Sequence, residues 1–314
     1  MSTSPAVRHM QSHVLDHLTR HRGKYPSDST VPPLFVAVQG PQGSGKTYLT
    51  SRLKDALKEH PHSLSVAVLS IDDLYLPHDG LVALAQAHPD NPLLRGRGQP
   101  GTHDIELGSR LLNQLRNINE DVSDVGVELP VFEKSLFNGE GDRLPEGRLV
   151  KGPIDIVLFE GWCVGFHPTS KAEIERLWEL PVQGLGDDFF QSRGFRKDNI
   201  LDVNDRLKQY VDWWKYFDVF IQIKPDEAHP YVHIYKWRLE QEHNMKAANG
   251  GRGMTDEQVR AFIDRYIPGY VFFGEGVVKG TLHEDGARQL PPWIGNGLRI
   301  QIDESRNVVD VSQF

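Results

Sequence analysis

An eight-residue stretch, "GPQGSGKT" (Gly40 to Thr47), constrains this chain more than any other. It fits G-x-x-x-x-G-K-[ST] at every fixed position. Before it runs "LFVAVQ" (34–39), continuously apolar as in a strand buried on both faces; after it Leu49, Leu53 and Leu57 recur at helical spacing. Strand, glycine turn and helix are the setting in which such a loop cradles phosphate. Gly40, Gly43 and Gly45 let the backbone curl so that N–H groups converge on an anion, and the helix adds its positive end. Pro41, Gln42 and Ser44 complete the expected nucleotide-binding segment. Lys46 is expected to reach the β- and γ-phosphates and Thr47 to ligate Mg²⁺. The motif therefore implies a nucleoside triphosphate.

The rest of the chain supplies a sheet to carry this loop. "LSVAVLSI" (64–71) reads as a second buried strand, so the opening forms a right-handed parallel βαβ unit. "IDIVLFE" (154–160) and "FDVFIQI" (217–223) add two parallel strands, and "LRIQIDESRNVVDVS" reads as a hairpin. The expected fold is a single α/β domain over residues 1–314, a P-loop NTPase three-layer sandwich whose mainly parallel sheet is flanked by helices. Glu160 ends its strand where a Walker B acid would hold Mg²⁺ directly or through water. A structural acid capping the next helix is the alternative. Within the N-terminal segment 1–30, residues 5–22 set Val7, Met10, Val14 and Leu18 on one helical stripe. His9, His13, His17 and His21 recur every four residues, a spacing at which neighbours can chelate a metal. The row drifts round the helix as a polar face does, so a solvated face is the expectation.

Charge narrows the partners. With 35 Lys and Arg against 43 Asp and Glu the formal charge is −8, and no basic stripe interleaved with aromatics occurs, which argues against nucleic acid. No Asn-Lys-x-Asp occurs, which argues against a Ras-like GTPase. One cysteine, Cys163, excludes an internal disulfide and fits a reducing compartment. No run approaches the roughly 18 apolar residues of a membrane span. A cytoplasmic or nuclear monomer that meets a small molecule, with neither nucleic acid nor membrane as partner, is expected. "VAVLSIDDLYLP" (66–77) ends a strand on two acids, Asp72 and Asp73. Ligands of open α/β sheets sit outside the carboxyl ends of strands, so both acids are expected near the loop's mouth. A kinase gains from a carboxylate that orients and deprotonates its acceptor. Strand alternation puts the two aspartates on opposite faces and does not choose between them.

"GPQGSGKT", "SIDDLY", "LLRGRGQPGTHD", "LPVFEKSLFNGEGDR", "LFEGW", "WRLEQEH" and "GMTDEQVRAFIDRYIPGY" occur in that order. Together they resemble the fungal P-loop kinases related to plant D-glycerate 3-kinase, and more distantly uridine, pantothenate and phosphoribulose kinases. The resemblance implies transfer of the γ-phosphoryl group of ATP, with Mg²⁺, to a hydroxyl of a small acceptor such as D-glycerate. It assigns the catalytic base to Asp72, with Leu74 where the motif usually has Phe and Asp73 in support. It makes 77–152 an acceptor-binding insertion in which Arg95, Arg97, His103 and Asp104 form an anion cradle, joined by Lys134 and Arg143. It makes 229–253 a lid whose Arg238 joins Lys46 in neutralising the transferred phosphoryl; a salt bridge from Arg238 to Glu242 is the alternative. In that segment Val232, Tyr235 and Leu239 are spaced to pack. After a hinge-like "NGGRGM", Thr255 and Gln258 form a capping box ahead of inward Val259, Phe262, Ile263 and Tyr266; a structural role is the expectation for this motif, with reach of Arg265 to the site as the alternative. The rival is an ATP-binding regulatory or assembly protein, against which stand Asp72 and the intact loop 95–104.

Overall fold

Six strands build the central sheet of the computed structural model, which describes residues 4–120, 125–248, 250–251 and 253–314. They are β1 (Leu34–Gln39), β2 (Val66–Ser70), β3 (Ile156–Gly161), β4 (Val219–Pro225), β5 (Gly297–Ile302) and β6 (Val308–Gln313). Their spatial order is β6-β5-β4-β1-β3-β2; all neighbours are parallel except β5 and β6, which form the C-terminal hairpin. All six residues of β1 are buried, as expected of a central strand covered on both faces. Phe35 and Ala37 join one core, and Leu34, Val36 and Val38 the other. The second core is closed by α1 (Pro5–Arg22) and α2 (Lys46–Lys58), through Val7, Met10, Val14 and Leu18 and through Leu49, Leu53 and Leu57. The first is closed by α3 (Ile105–Arg116), Trp213, Trp214 and the C-terminal helices. The expected three-layer α/β sandwich is therefore the fold, and no helix among the described residues is long and apolar enough to cross a membrane.

Two local expectations are corrected. His13 and His21 do not belong to a solvated face: both are buried, with Nε2 on the carbonyls of Asn296 (3.1 Å) and Pro32 (2.8 Å). Every fourth residue advances about 40° round a helix, so the row crosses into the packed stripe. Among the described residues no cluster of three His, Cys, Asp or Glu could hold a metal. In α4 (Val232–Ala248) the packed face is Ile234 and Trp237, with Tyr235 partly buried against the first core as expected, whereas Val232 is exposed and Leu239 only partly covered. The indole of Trp237 reaches the second core and donates to Glu304 O (2.7 Å), so the first half of the expected lid is anchored. Asn249 and Arg252 of the expected hinge lie outside the described residues. The capping box at Thr255 and Gln258 does open α5 (Asp256–Asp264), which leads into α6 (Ile267–Phe273).

Burial gives the fold a defined acid sensitivity. It pushes His13 and His167 down to about 4 and His103 to about 3, and each is buried. The folded state holds all three neutral while the unfolded chain protonates them near 6.5, so their contribution is full above that pH and is lost as pH falls towards 4. Urea titrations should show stability falling below pH 6.5, with a limiting slope of about 4 kcal/mol per pH unit for three extra protons taken up on unfolding. A pH-independent stability between 6.5 and 5 would contradict it.

Candidate active site

The phosphate loop is braced from below and left open above. Gly43 and Gly45 take φ of 75° and 84°, the left-handed region that favours glycine. The Ser44 hydroxyl donates to Pro41 O (2.8 Å), and the Tyr270 hydroxyl of α6 accepts from Gln42 N (3.3 Å). Gly45 stands at the N-cap of α2, and a Cβ there would meet nothing within 4 Å, so the mouth has room for an anion. Gly43 is tighter: α4 lies directly against it, and Arg306 Nε from the β5–β6 turn donates to its carbonyl (2.8 Å).

Glu160 stands on β3 opposite Val38 of β1, which carries its carboxylate to the loop. Thr47 Oγ1 donates to Glu160 Oε1 (3.2 Å), and Lys46 Nζ lies 3.3 Å from Oε2. A hydroxyl and a buried carboxylate thus meet where the phosphates would enter. Two protein oxygens without a full cage suit Mg²⁺, which takes its remaining ligands from phosphate and water.

The two aspartates separate for a reason that strand parity missed. β2 ends at Ser70, and Ile71–Leu74 form a 3₁₀ turn capped by the Ser70 hydroxyl on Asp72 N (3.3 Å). Asp72 Oδ2 accepts from Lys134 Nζ (2.6 Å) and Oδ1 from the Tyr75 hydroxyl (3.1 Å). Asp73 Oδ1 accepts from Phe132 N (3.1 Å) and so pins the insertion. Burial works to raise Asp72, but the charges of Lys134 and Lys46 outweigh it and hold the carboxyl well below the usual range. Asp73 is raised: burial, joined by the like charge of Asp72, outweighs the Phe132 hydrogen bond and the pull of Lys134 and Arg148.

The loop 95–104 closes over Asp72. The His103 ring stacks on Tyr75 with centroids 4.4 Å apart, and its Nδ1 lies 2.7 Å from the Tyr210 hydroxyl. Arg97 lies over Phe132 and donates to Gly139 O (2.6 Å) and Glu140 O. Arg95 turns away to Pro89 O (2.9 Å). Asp104 spends its oxygens on structure: Oδ1 caps α3 at Leu107 N (3.0 Å), and Oδ2 pairs with Arg143 (3.2 Å), which also donates to Tyr75 O (2.7 Å). Arg238 faces Glu242 at 2.8 Å, the alternative its spacing had offered. Of the expected residues, Lys46, Thr47, Glu160, Asp72, Lys134, Arg97 and His103 gather around one cleft. Tyr75, Tyr210, Tyr270 and Arg306 were missed, because single aromatic and turn residues carry no periodic or motif signal.

The chain matches no protein-family model. It is 38% identical over 281 residues to a probable ATP-dependent kinase of Saccharomyces cerevisiae, covering 88% of this chain and 87% of that protein. A solved D-glycerate 3-kinase from Cryptococcus neoformans superimposes with a TM-score of 0.88 at 42% identity, over 99% of this chain and 100% of that one. The chain belongs to the D-glycerate 3-kinase family. A chloroplastic D-glycerate 3-kinase of Arabidopsis thaliana is 33% identical over 94% of this chain, which spans 58% of the plant protein. The chain is thus an ATP-dependent small-molecule kinase that phosphorylates an alcohol group.

The ion pair in this kinase's cleft makes a prediction of its own. Replacing Lys134 with methionine removes one of the two charges that hold Asp72 down, so the carboxyl rises. The acid limb of the kcat–pH profile should move to higher pH in Lys134→Met. Superimposable acid limbs would show that Lys134 does not act on the group that limits turnover.

Proposed function

We propose that this kinase phosphorylates a hydroxyl of D-glycerate, with the phosphates of ATP on residues 40–47, Mg²⁺ between Thr47 and Glu160, and the acceptor between Asp72 and the loop 95–104. The observation that carries the reading is Asp72, an ionised carboxylate beside Lys134 across the cleft from Lys46. The names of the relatives support the choice of D-glycerate.

In the step so derived, the acceptor oxygen attacks the γ-phosphorus while the bond to the β-bridging oxygen breaks, and ADP leaves. The hydroxyl proton passes to Asp72. Because its neighbours depress its basicity, Asp72 orients the hydroxyl first and takes the proton late, as suits a transition state with little bond formation to the nucleophile. Lys46 compensates charge growing on the phosphate oxygens. Bound Mg²⁺ would supply neutralisation of the β- and γ-oxygens. Arg238 joins them only by leaving Glu242. Arg143 and Asp104 hold Tyr75 and the loop in place. Residues 77–152 serve as the acceptor-binding insertion and 229–253 as the cover of the phosphate loop.

The test is ADP release by the purified protein with Mg-ATP against D-glycerate, pantothenate, uridine and several sugars. Selective stimulation by D-glycerate is expected. Stimulation by another member would replace the acceptor; stimulation by none would favour a regulatory ATP-binding role.

A further inference from the structure

Among the described residues Arg265 is a cation without a counter-ion. It follows α5, and its Nη2 donates to the carbonyls of Gly96 (3.4 Å) and Arg97 (3.3 Å). Its Nε is buried with no hydrogen-bond partner. Among the described residues no carboxylate pairs with Arg265, Arg97 or Arg95, although acids outnumber bases in this chain. Arg143, Arg193, Arg206 and Arg238, also partly buried, each hold an aspartate or glutamate at 2.8 to 3.2 Å. Burial, together with the like charges of Arg97 and Arg95, works against the charge on Arg265. A guanidinium kept in such a place without an internal anion is poised for an external one.

Its surroundings connect it to the acceptor side. The neighbouring Tyr266 is buried and feels both Asp72 and Arg265, and Tyr75, beside it, donates to Asp72. Gln99 Nε2 ties down Arg265 O (2.5 Å) while Gln99 Oε1 is buried and unpartnered. His103 Nε2 is likewise buried and unpartnered. The Tyr210 hydroxyl already accepts from Gly101 N (2.8 Å), so its proton points to His103 Nδ1, leaving Nε2–H as a free donor. An orphaned donor and an orphaned acceptor thus lie on the loop that faces Asp72, and the orphaned cation packs against that loop.

We propose that Arg265, with Arg97 beside it, binds the carboxylate of the acceptor and sets a preference for hydroxy acids over neutral polyols, with Gln99 and His103 taking the hydroxyls not phosphorylated. The proposal rests on the reading of the chain as a D-glycerate kinase and names the residue that reads the acid.

The test is steady-state ADP release by the wild type, Arg265→Gln and Arg265→Lys with D-glycerate, with glycerol, and with ATP varied. The wild type should prefer D-glycerate over glycerol by roughly 10³-fold in kcat/KM. Arg265→Gln should lose roughly 10²-fold or more on D-glycerate with KM for ATP unchanged. Arg265→Lys keeps the charge without the fork and should raise KM for D-glycerate about tenfold; it is the variant read if Arg265→Gln does not melt cooperatively. A preference below tenfold, unchanged D-glycerate kinetics in both folded variants, or a loss expressed in KM for ATP would overturn the assignment. If the wild type phosphorylates no acceptor, the functional reading fails separately. Calorimetric titration with D-glycerate then decides the subsite: heat lost in Arg265→Gln upholds it, and no heat with the wild type overturns it.

Discussion

Asp72→Asn is expected to lower kcat on D-glycerate by roughly 10²-fold or more, the scale of general acid–base help, while ATP binds with near-normal affinity. The asymmetry follows from where the carboxylate sits. Asp72 stands on the turn after β2 and holds Lys134 and Tyr75, whereas the phosphate loop takes its own acid, Glu160, from β3. Asparagine keeps the shape and can still accept from Tyr75, so the 3₁₀ turn should survive. What it loses is the charge that orients the acceptor hydroxyl and receives its proton. Lys134 is half-exposed, so leaving it unpaired has little effect on stability. Undiminished kcat would remove Asp72 from the mechanism; an equal loss of ATP affinity would move it to the nucleotide side.

Gly43→Ala should be nearly as damaging, by another route. A Cβ at this position would lie 2.5 Å from Trp237 Cβ and 2.6 Å from its carbonyl carbon, and the residue sits at φ of 75°. The left-handed backbone costs about 1–2 kcal/mol for alanine, and overpacking against a buried helix adds about 1–3. Relief requires α4 to lift, which strains the Trp237–Glu304 and Arg306–Gly43 hydrogen bonds that hold helix, hairpin and loop together. ATP affinity should drop by roughly 10²-fold and thermal stability should fall with it. Gly45→Ala shares the unfavourable φ but meets no protein neighbour, and should lose less thermal stability. Equal losses of stability at the two glycines would refute the packing argument.

The contrast between these two aspects of the site explains what the sequence made legible. The loop 40–47 and its strand were readable because phosphate binding demands glycines and Lys-Thr at fixed spacing, and because a strand covered on both faces must be continuously apolar. Strand limits moved by a residue or two, since apolar runs extend past the ladder; β2 starts at Val66 rather than Leu64. The split between Asp72 and Asp73 was not readable from parity, because a Ser70 cap ends the strand just before them. Nor could spacing say that Asp104 and Arg143, 39 positions apart, would spend themselves on each other. The orphaned state of Arg265 was invisible for the same reason, as lacking a partner is a property of three-dimensional surroundings.

The central claim is that a phosphate loop and an acceptor-side carboxylate together transfer phosphoryl to D-glycerate. The most direct measurement is ³¹P NMR of the wild-type protein incubated with Mg-ATP and D-glycerate. The account predicts one phosphomonoester of glycerate for each ADP formed, and no turnover of ATP without the acceptor. ATP loss that yields inorganic phosphate at a rate indifferent to D-glycerate would contradict it.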